Sequence, residues 1–425
     1  MIVDTFRRLW RHFLTDNLFR NSIYLMSTTV VMGVLGFFFW LICAHLFTPD
    51  QIGVGTVLIS AMSLISFISL LGFNSTFVRV LPNSRDRNNE INTGSILVIS
   101  AAVIIAAAYT WIAPSVTPQL AIIHMNFWYA AGFVVMVGLA SINSLTDSIF
   151  IAYRSAQYNL LTDGVVMGGA KLLMPFMFVG LAAYGVFAAA GFAASLGMVA
   201  SILFLVFKFG YKPRLSINKQ TLKNVFRYSF ANYIANLVNV VPSLILPIIV
   251  LDRLGAPAAA YYYLAFMVIN LLYAISISVS QSLFAEGSYS EDKLRTLLKR
   301  AVIILLAIMV PAALILAVFG PLILGFFGKS YSEGGSSVIV ILAIASPAIA
   351  AFNVGSVLLR IRHQIYSLVS INIVYAIVVS GLAILWADKG LAWIAIAWTV
   401  GNLIAALLSF FCIFLYRQNP TPVQA

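Results

Sequence analysis

A chain of 425 residues that is 62% hydrophobic and only 9% charged is not an ordinary soluble domain, in which about a quarter of the residues carry charge. The formal net charge of +12 would suit a nucleic-acid binder, but the basic residues sit in short connections between long apolar runs. Membrane topology accounts for them, and nucleic acid is not an expected partner. Cys43 and Cys412 both lie inside apolar runs and the four histidines are scattered, so no disulfide framework, metal site or cofactor is expected.

At the N-terminus, Phe6, Leu9, Trp10, Phe13 and Leu14 share one helical face, with Arg7, Arg8 and Arg11 around the other. Residues 1–21 therefore predict an amphipathic segment at the cytoplasmic interface, the alternative being a basic tail that only sets orientation. The first apolar run is too long for a signal peptide's core and carries no small-residue cleavage pattern. Runs long enough to cross a bilayer, about 20 residues each, fall near 22–47, 53–78, 94–113, 127–150, 162–183, 186–207, 229–251, 258–284, 300–320, 336–359, 366–386 and 391–415. The expected architecture is an all-α polytopic membrane protein of about twelve helices.

Alternate connections carry the charge. Twenty-one of the 25 lysines and arginines fall on one side, and only Arg253, Lys329 and Lys389 fall on the other; Lys171 is the remaining one. This asymmetry predicts that both termini are cytoplasmic. The longest connection on the basic side, 208–228, divides an N-lobe (22–207) from a C-lobe (229–415), which a cytoplasmic tail (416–425) follows. At an offset of 208, Leu46 aligns with Leu254, Pro49 with Pro257, Arg85 and Arg87 with Lys293 and Arg295, and Arg154 with Arg362. Six spans per half make the halves parallel repeats, with a central cavity expected between the lobes.

Span 7 reads "YSFANYIANLVNVVPSLILP", in which Tyr228, Asn232, Asn236, Asn239 and Ser243 form one continuous stripe. Carboxamides facing lipid would lack partners, so the stripe faces water or protein. Span 1 offers Asn21, Tyr24 and Thr28 on a matching face, and span 8 offers Asn270, Tyr273, Ser276, Ser280 and Gln281 within one arc. These faces are expected to line a polar cavity, with interhelical hydrogen bonding as the alternative. Pro175, Pro242, Pro247, Pro311 and Pro347 interrupt four spans and suit helices that bend as a transporter changes shape.

Within "GGAKLLMP" stands Lys171. A charge at that depth costs ~2.5–3.5 kcal/mol even on insertion scales, and pairing is the usual relief. Asp147 near the end of span 4 and Lys171 in span 5 both lie roughly 10–12 Å from the cytoplasmic boundary at ~1.5 Å per residue. The two predict an ion pair, either structural or opened by an anionic substrate, and the GxxxG pattern from Gly164 to Gly168 would permit the close helix approach it needs.

"FFFWLICAHLFTPDQIGVGTVLISAMSLISFISLLGFNSTFVRVLP" resembles the opening helices of the polysaccharide flippases, members of the multidrug/oligosaccharidyl-lipid/polysaccharide exporter (MOP) superfamily. The recurring elements are an apolar helix ending at "LFTPDQIG", a serine-rich second helix, and Gly72 and Arg79 before a basic loop; the twelve spans in two lobes match too. His45 stands where family members commonly carry an arginine. The resemblance implies a multi-pass protein of the cell (inner) membrane that flips a sugar repeat unit on a polyprenyl pyrophosphate, with membrane lipids and polysaccharide-assembly proteins as partners. Lys171 and Arg79 are then expected to meet the anionic headgroup, and Asn232, Asn236, Asn239, Asn270 and Gln281 the sugar hydroxyls. Asp147 is the carboxylate suited to coupling by protons or sodium. A multidrug or small-solute exporter of the same superfamily is the alternative. The chain shows no P-loop, metal cluster or nucleophile–base pair, so an enzyme is not expected.

Overall fold

The computed structural model describes residues 17–218, 230–289 and 294–418. The amphipathic face predicted at 6–14 lies outside them, as does the linker from 219 to 229. The first lobe carries α1 (Asn17–Leu46), α2 (Pro49–Ser69), a short α3 (Phe73–Val80), α4 (Arg87–Val116), α5 (Phe127–Ala152), α6 (Gly168–Phe178) and α7 (Ala182–Phe209). The second carries α8 (Phe230–Leu254), α9 (Ala256–Tyr289), α10 (Leu294–Gly325), α11 (Lys329–Ile361), α12 (Ile365–Trp386) and α13 (Leu391–Gln418).

Eleven described segments are long and apolar enough to cross a membrane, and one of them, Gln157–Phe209, has 53 residues. At ~1.5 Å per residue that length is about twice what a bilayer needs, so it must fold back. It does so at a 3₁₀ turn, Val179–Leu181, after which Ala182 takes φ 51° and α7 packs alongside α6. Among the described residues the crossings therefore number twelve.

Local sequence explains the helix starts. In "TPDQ" the Thr48 N–H donates to Gln51 Oε1 (3.1 Å) and the Gln51 N–H to Thr48 Oγ1 (3.3 Å), a reciprocal cap with Pro49 as the first helical residue. Asp86 caps α4 through the Asn89 N–H, and Asn126 caps α5 through the Trp128 N–H. Gly72, at φ 86°, breaks the chain between α2 and α3 as only a residue without Cβ does cheaply.

Packing divides the helices into stripes. In α4 the buried residues are Ile91, Asn92, Thr93 and Gly94 at its start and then Val98, Ala102, Ala106, Thr110 and Ala113 along one face, while Ile104, Trp111 and Ile112 are exposed. In α10, Ala301, Leu305, Met309, Ala313, Gly320 and Leu324 are buried, while Ile303, Leu314, Val318 and Leu322 are exposed. Lipid is as apolar as leucine, so such faces lose nothing by staying outside. The core at the basic-loop end of the first lobe joins Phe73, Phe77, Leu81, Ile149, Phe150 and Leu205. In the second lobe α11 is the central helix, packed against α9, α10 and α13.

The repeat seen in the sequence has a structural counterpart in the turns. The 3₁₀ turn at Ala387–Lys389 stands 208 positions after Val179–Leu181, and Gly390 (φ 107°) follows it as Ala182 follows the first. After α5, the Ser155 N–H reaches back to Phe150 O (2.9 Å) with Arg154 at φ 53°. After α11, the Gln364 N–H reaches Leu359 O (2.9 Å) with His363 at φ 56°. Both are the left-handed helix endings in which the last N–H closes a six-residue loop.

By contacts the chain divides into two compact units: residues up to Phe47 with Leu58–Tyr233, and Thr48–Val57 with the chain from Ile234 onward. The described part of the linker belongs with the first because α4 holds it. Asn92 Oδ1 accepts from the Tyr211 hydroxyl (2.7 Å) and the Arg214 N–H (3.1 Å), and its Nδ2 donates to Lys212 O (3.3 Å). Ser216 donates to Asn89 Oδ1, and the Asn218 N–H to Thr93 Oγ1. Replacing Asn92 with leucine removes three bonds of about 0.5–1.5 kcal/mol each. Hydrogen exchange across 211–218 is expected to accelerate at least tenfold, while exchange in α12 stays unchanged.

Candidate functional site

The first lobe gathers its buried charges at α5, α6 and the segment leading into α6. Asn143 and Asp147 stand one turn apart on α5. The chain then enters span 5 through a π-helical segment, Leu160–Met167, which carries Asp163. Asp163 is 5% exposed and its Oδ1 accepts from Asn143 Nδ2 at 2.8 Å. The Asp147 carboxyl lies within hydrogen-bonding reach of Asp163, and a bond between two carboxyl groups requires a proton on one of them. Asp147 Oδ1 and Asn143 Oδ1 are buried without a partner, so the cluster has acceptor capacity to spare.

Lys171 is half-buried on α6, where the charge of Asp163 acts on it, and among the described residues no carboxylate pairs with it within 4.0 Å. The expected direct pairing of Asp147 with Lys171 is not made as an ion pair, and the charge of Asp163 acts on both groups. A π segment spends an extra residue per turn, so positions beyond it rotate away from where α geometry would place them. The glycines also act differently from expectation. Gly164 and Gly168 abut Val31 and Leu35 of α1, whereas Gly197 of α7 approaches the cluster, its added Cβ falling 3.3 Å from Asn143 Oδ1. Arg79 stands exposed in the last turn of α3, outside this cluster.

In the second lobe the asparagine stripe is partly engaged. Asn236 Oδ1 accepts from an Arg360 guanidinium N–H (3.4 Å), and Asn239 Nδ2 donates to Asn372 Oδ1 (3.5 Å). Asn372 in turn donates to Ala235 O (3.0 Å), locking α12 to α8. The side chain of Asn232 lies outside those described, as does Tyr228. On α9, Asn270 and Gln281 are both exposed. Ser276 between them accepts from Asn353 of α11 (3.0 Å), and the Tyr273 hydroxyl donates to Leu342 O (2.8 Å). The arc read on span 8 thus splits into packing residues and free carboxamides.

Sequence reading missed Asp163, Asn372 and Arg360 as members of these groups. In the sequence Asp163 stands at the start of an apolar run, where a boundary residue is expected. A sequence separation of 16 from Asp147 does not fix whether two side chains meet across a loop.

Residues 42–336 match the model of a family described as polysaccharide biosynthesis protein. No curated protein matches the chain. Among solved structures, the lipid II flippase MurJ in an inward closed conformation aligns with a TM-score of 0.74 at 14% identity, over 92% of this chain and 87% of that one. An inward-facing multidrug resistance MATE family transporter of the MOP superfamily aligns with a TM-score of 0.72 at 15% identity, over 94% and 100%. A MOP superfamily transporter from Pyrococcus furiosus aligns with a TM-score of 0.64 at 15% identity, over 95% of each chain. At these identities the likeness is one of fold.

Proposed function

The chain belongs to the polysaccharide biosynthesis protein family and is a multi-pass transporter with the MOP superfamily fold; from that premise we propose that it flips a lipid-linked oligosaccharide. The substrate is a sugar repeat unit on a polyprenyl pyrophosphate, moved from the cytoplasmic to the outer leaflet of the inner membrane by alternating access, with no catalysis. The observation that carries this reading is a division of polar chemistry. The first lobe holds a half-buried lysine under the charge of a buried carboxylate, and the second presents uncharged carboxamides. An anionic pyrophosphate joined to a neutral glycan needs both kinds of site. Lys171 and Arg79 take the phosphates. Asn232, Asn236, Asn239, Asn270 and Gln281 take sugar hydroxyls, with Asn236 released from Arg360 as it does so.

Coupling is assigned to the Asp147–Asp163 pair, which can hold one proton between two carboxyls and exchange it as the lobe changes shape. A sodium ion bound by the same oxygens is the other form of coupling. The second reading is a cation-coupled multidrug or small-solute exporter, which the structural likeness to MATE transporters favours. Disrupting the gene separates the two. A flippase leaves its lipid-linked glycan accumulated inside and absent from the surface, and an exporter leaves surface glycans normal but raises drug sensitivity.

The same proposal fixes orientation. Single cysteines near Asp50 and Asp388 are expected to react with an impermeant maleimide in intact cells, and cysteines near Lys212 and Arg295 only after permeabilisation. Labelling of position 212 from outside would invert the topology.

A further inference from the structure

We infer that the second lobe contains, by itself, a binding subsite for one uncharged sugar ring. A cavity of about 200 Å³ lies among α8, α9, α11, α12 and α13. Its volume corresponds to about six or seven waters at ~30 Å³ each, below the ~300–1,000 Å³ of sites for drug-sized ligands. It is the size of a pyranose, not of an oligosaccharide or a polycyclic drug.

The lining has the chemistry of sugar recognition. Asn239 and Asn270 stand exposed at its edge, while Asn353 and Asn402 lie deeper. Each carboxamide is both donor and acceptor, which matches a ring of hydroxyls with the same dual character. Between them run aromatic rings. Trp398 meets Phe266 edge to face at 5.0 Å and Tyr375 at 6.0 Å, and Tyr375 lies 5.3 Å from Phe352. Such a connected set holds its geometry without a ligand and offers apolar surface to the C–H face of a pyranose. None of the described residues lining the cavity is charged, so the site gives no return for a phosphate, a uronate or an ammonium.

At the same wall the Tyr273 hydroxyl donates to Leu342 O and stands within reach of the buried Trp398 indole N–H, which has no well-aligned acceptor there. A sugar hydroxyl in the cavity offers that N–H a better-aligned partner. This subsite deepens the flippase reading and rests on it for the biological ligand. It places one sugar of the repeat unit at Trp398, remote in chemistry from the charged cluster of the other lobe.

The test uses the full chain in lipid nanodiscs and saturation-transfer NMR with methyl glycosides of glucose, galactose and N-acetylglucosamine, and with glucuronate and glucose 6-phosphate as charged counterparts. At least one neutral glycoside is expected to bind, and the charged sugars at least tenfold more weakly. Asn270→Leu at the exposed edge and Trp398→Phe, which keeps the ring packing but removes the N–H, are each expected to weaken that binding at least tenfold. Thermal melting of each variant shows that the fold is kept. Equal binding of charged sugars, unchanged binding in both variants, or no binding of any neutral glycoside would overturn the subsite. Glycan display in cells is read in parallel. Normal display without the gene sinks the flippase reading but not the subsite, whereas gene-dependent display that both variants support fully, with binding unchanged, sinks the subsite alone.

Discussion

Lys171→Met is expected to lower the amount of protein in the membrane severely, and the combination Lys171→Met with Asp163→Asn to restore it without restoring transport. The geometry makes the direction specific. Asp163 is the buried carboxylate whose charge acts on the half-buried lysine, and removing that cation leaves the carboxylate uncompensated. The carboxamide that Asp163→Asn introduces would keep the bond from Asn143 while needing no counter-charge. Lys171→Met with Asp147→Asn should not recover abundance, because Asp163 would still stand alone. Asp147→Asn by itself should leave abundance near normal, since a carboxamide can donate to Asp163 as the protonated acid does, yet abolish the dependence of transport on a pH gradient. The measurements are membrane abundance by immunoblot and glycan export in a strain lacking the gene, each variant compared at matched levels. Recovery of abundance by Asp147→Asn and not by Asp163→Asn would return the lysine's partner to α5. Full export by the Lys171→Met, Asp163→Asn variant would show that the lysine has a structural role only.

Gly185→Val is expected to be strongly damaging although it lies outside the charged cluster. Gly185 lies in the first turn of α7, where the chain has just reversed, and a Cβ there would fall 2.1 Å from the Phe178 carbonyl oxygen. The obstacle is backbone, which cannot rotate aside, so the reversal itself must be rebuilt. A loss of about 3 kcal/mol or more follows, at the upper end of what overpacking costs. Gly36→Ala is the control. An added Cβ there meets nothing within 4 Å, and alanine is preferred over glycine in a helix by roughly 0.5–1 kcal/mol. Melting of detergent-solubilised protein, followed by size exclusion, should show Gly185→Val aggregated or strongly destabilised and Gly36→Ala unchanged or improved.

Composition and period decided much of this protein before any packing. Long apolar runs can satisfy their backbone in a bilayer only as helices, so the twelve crossings were legible from length alone, including the two that share one unbroken run. "TPDQ" announced a capped helix start, because the cap is made by residues within four positions of one another. The offset of 208 survived as matched turns at Val179–Leu181 and Ala387–Lys389, since turn geometry is also local. Even so, the repeat position that Gly185 fills in the first lobe is filled in the second by Trp393, which meets Trp386 edge-on at 5.4 Å. Tertiary structure alone decided which polar groups meet. Asp163 joined Asn143 and Asp147 in one buried group, and Asn372 and Arg360, far along the chain, claimed Asn239 and Asn236. A helix's own sequence fixes which residues share its face, but the partner across that face depends on the phase and depth at which a second helix arrives.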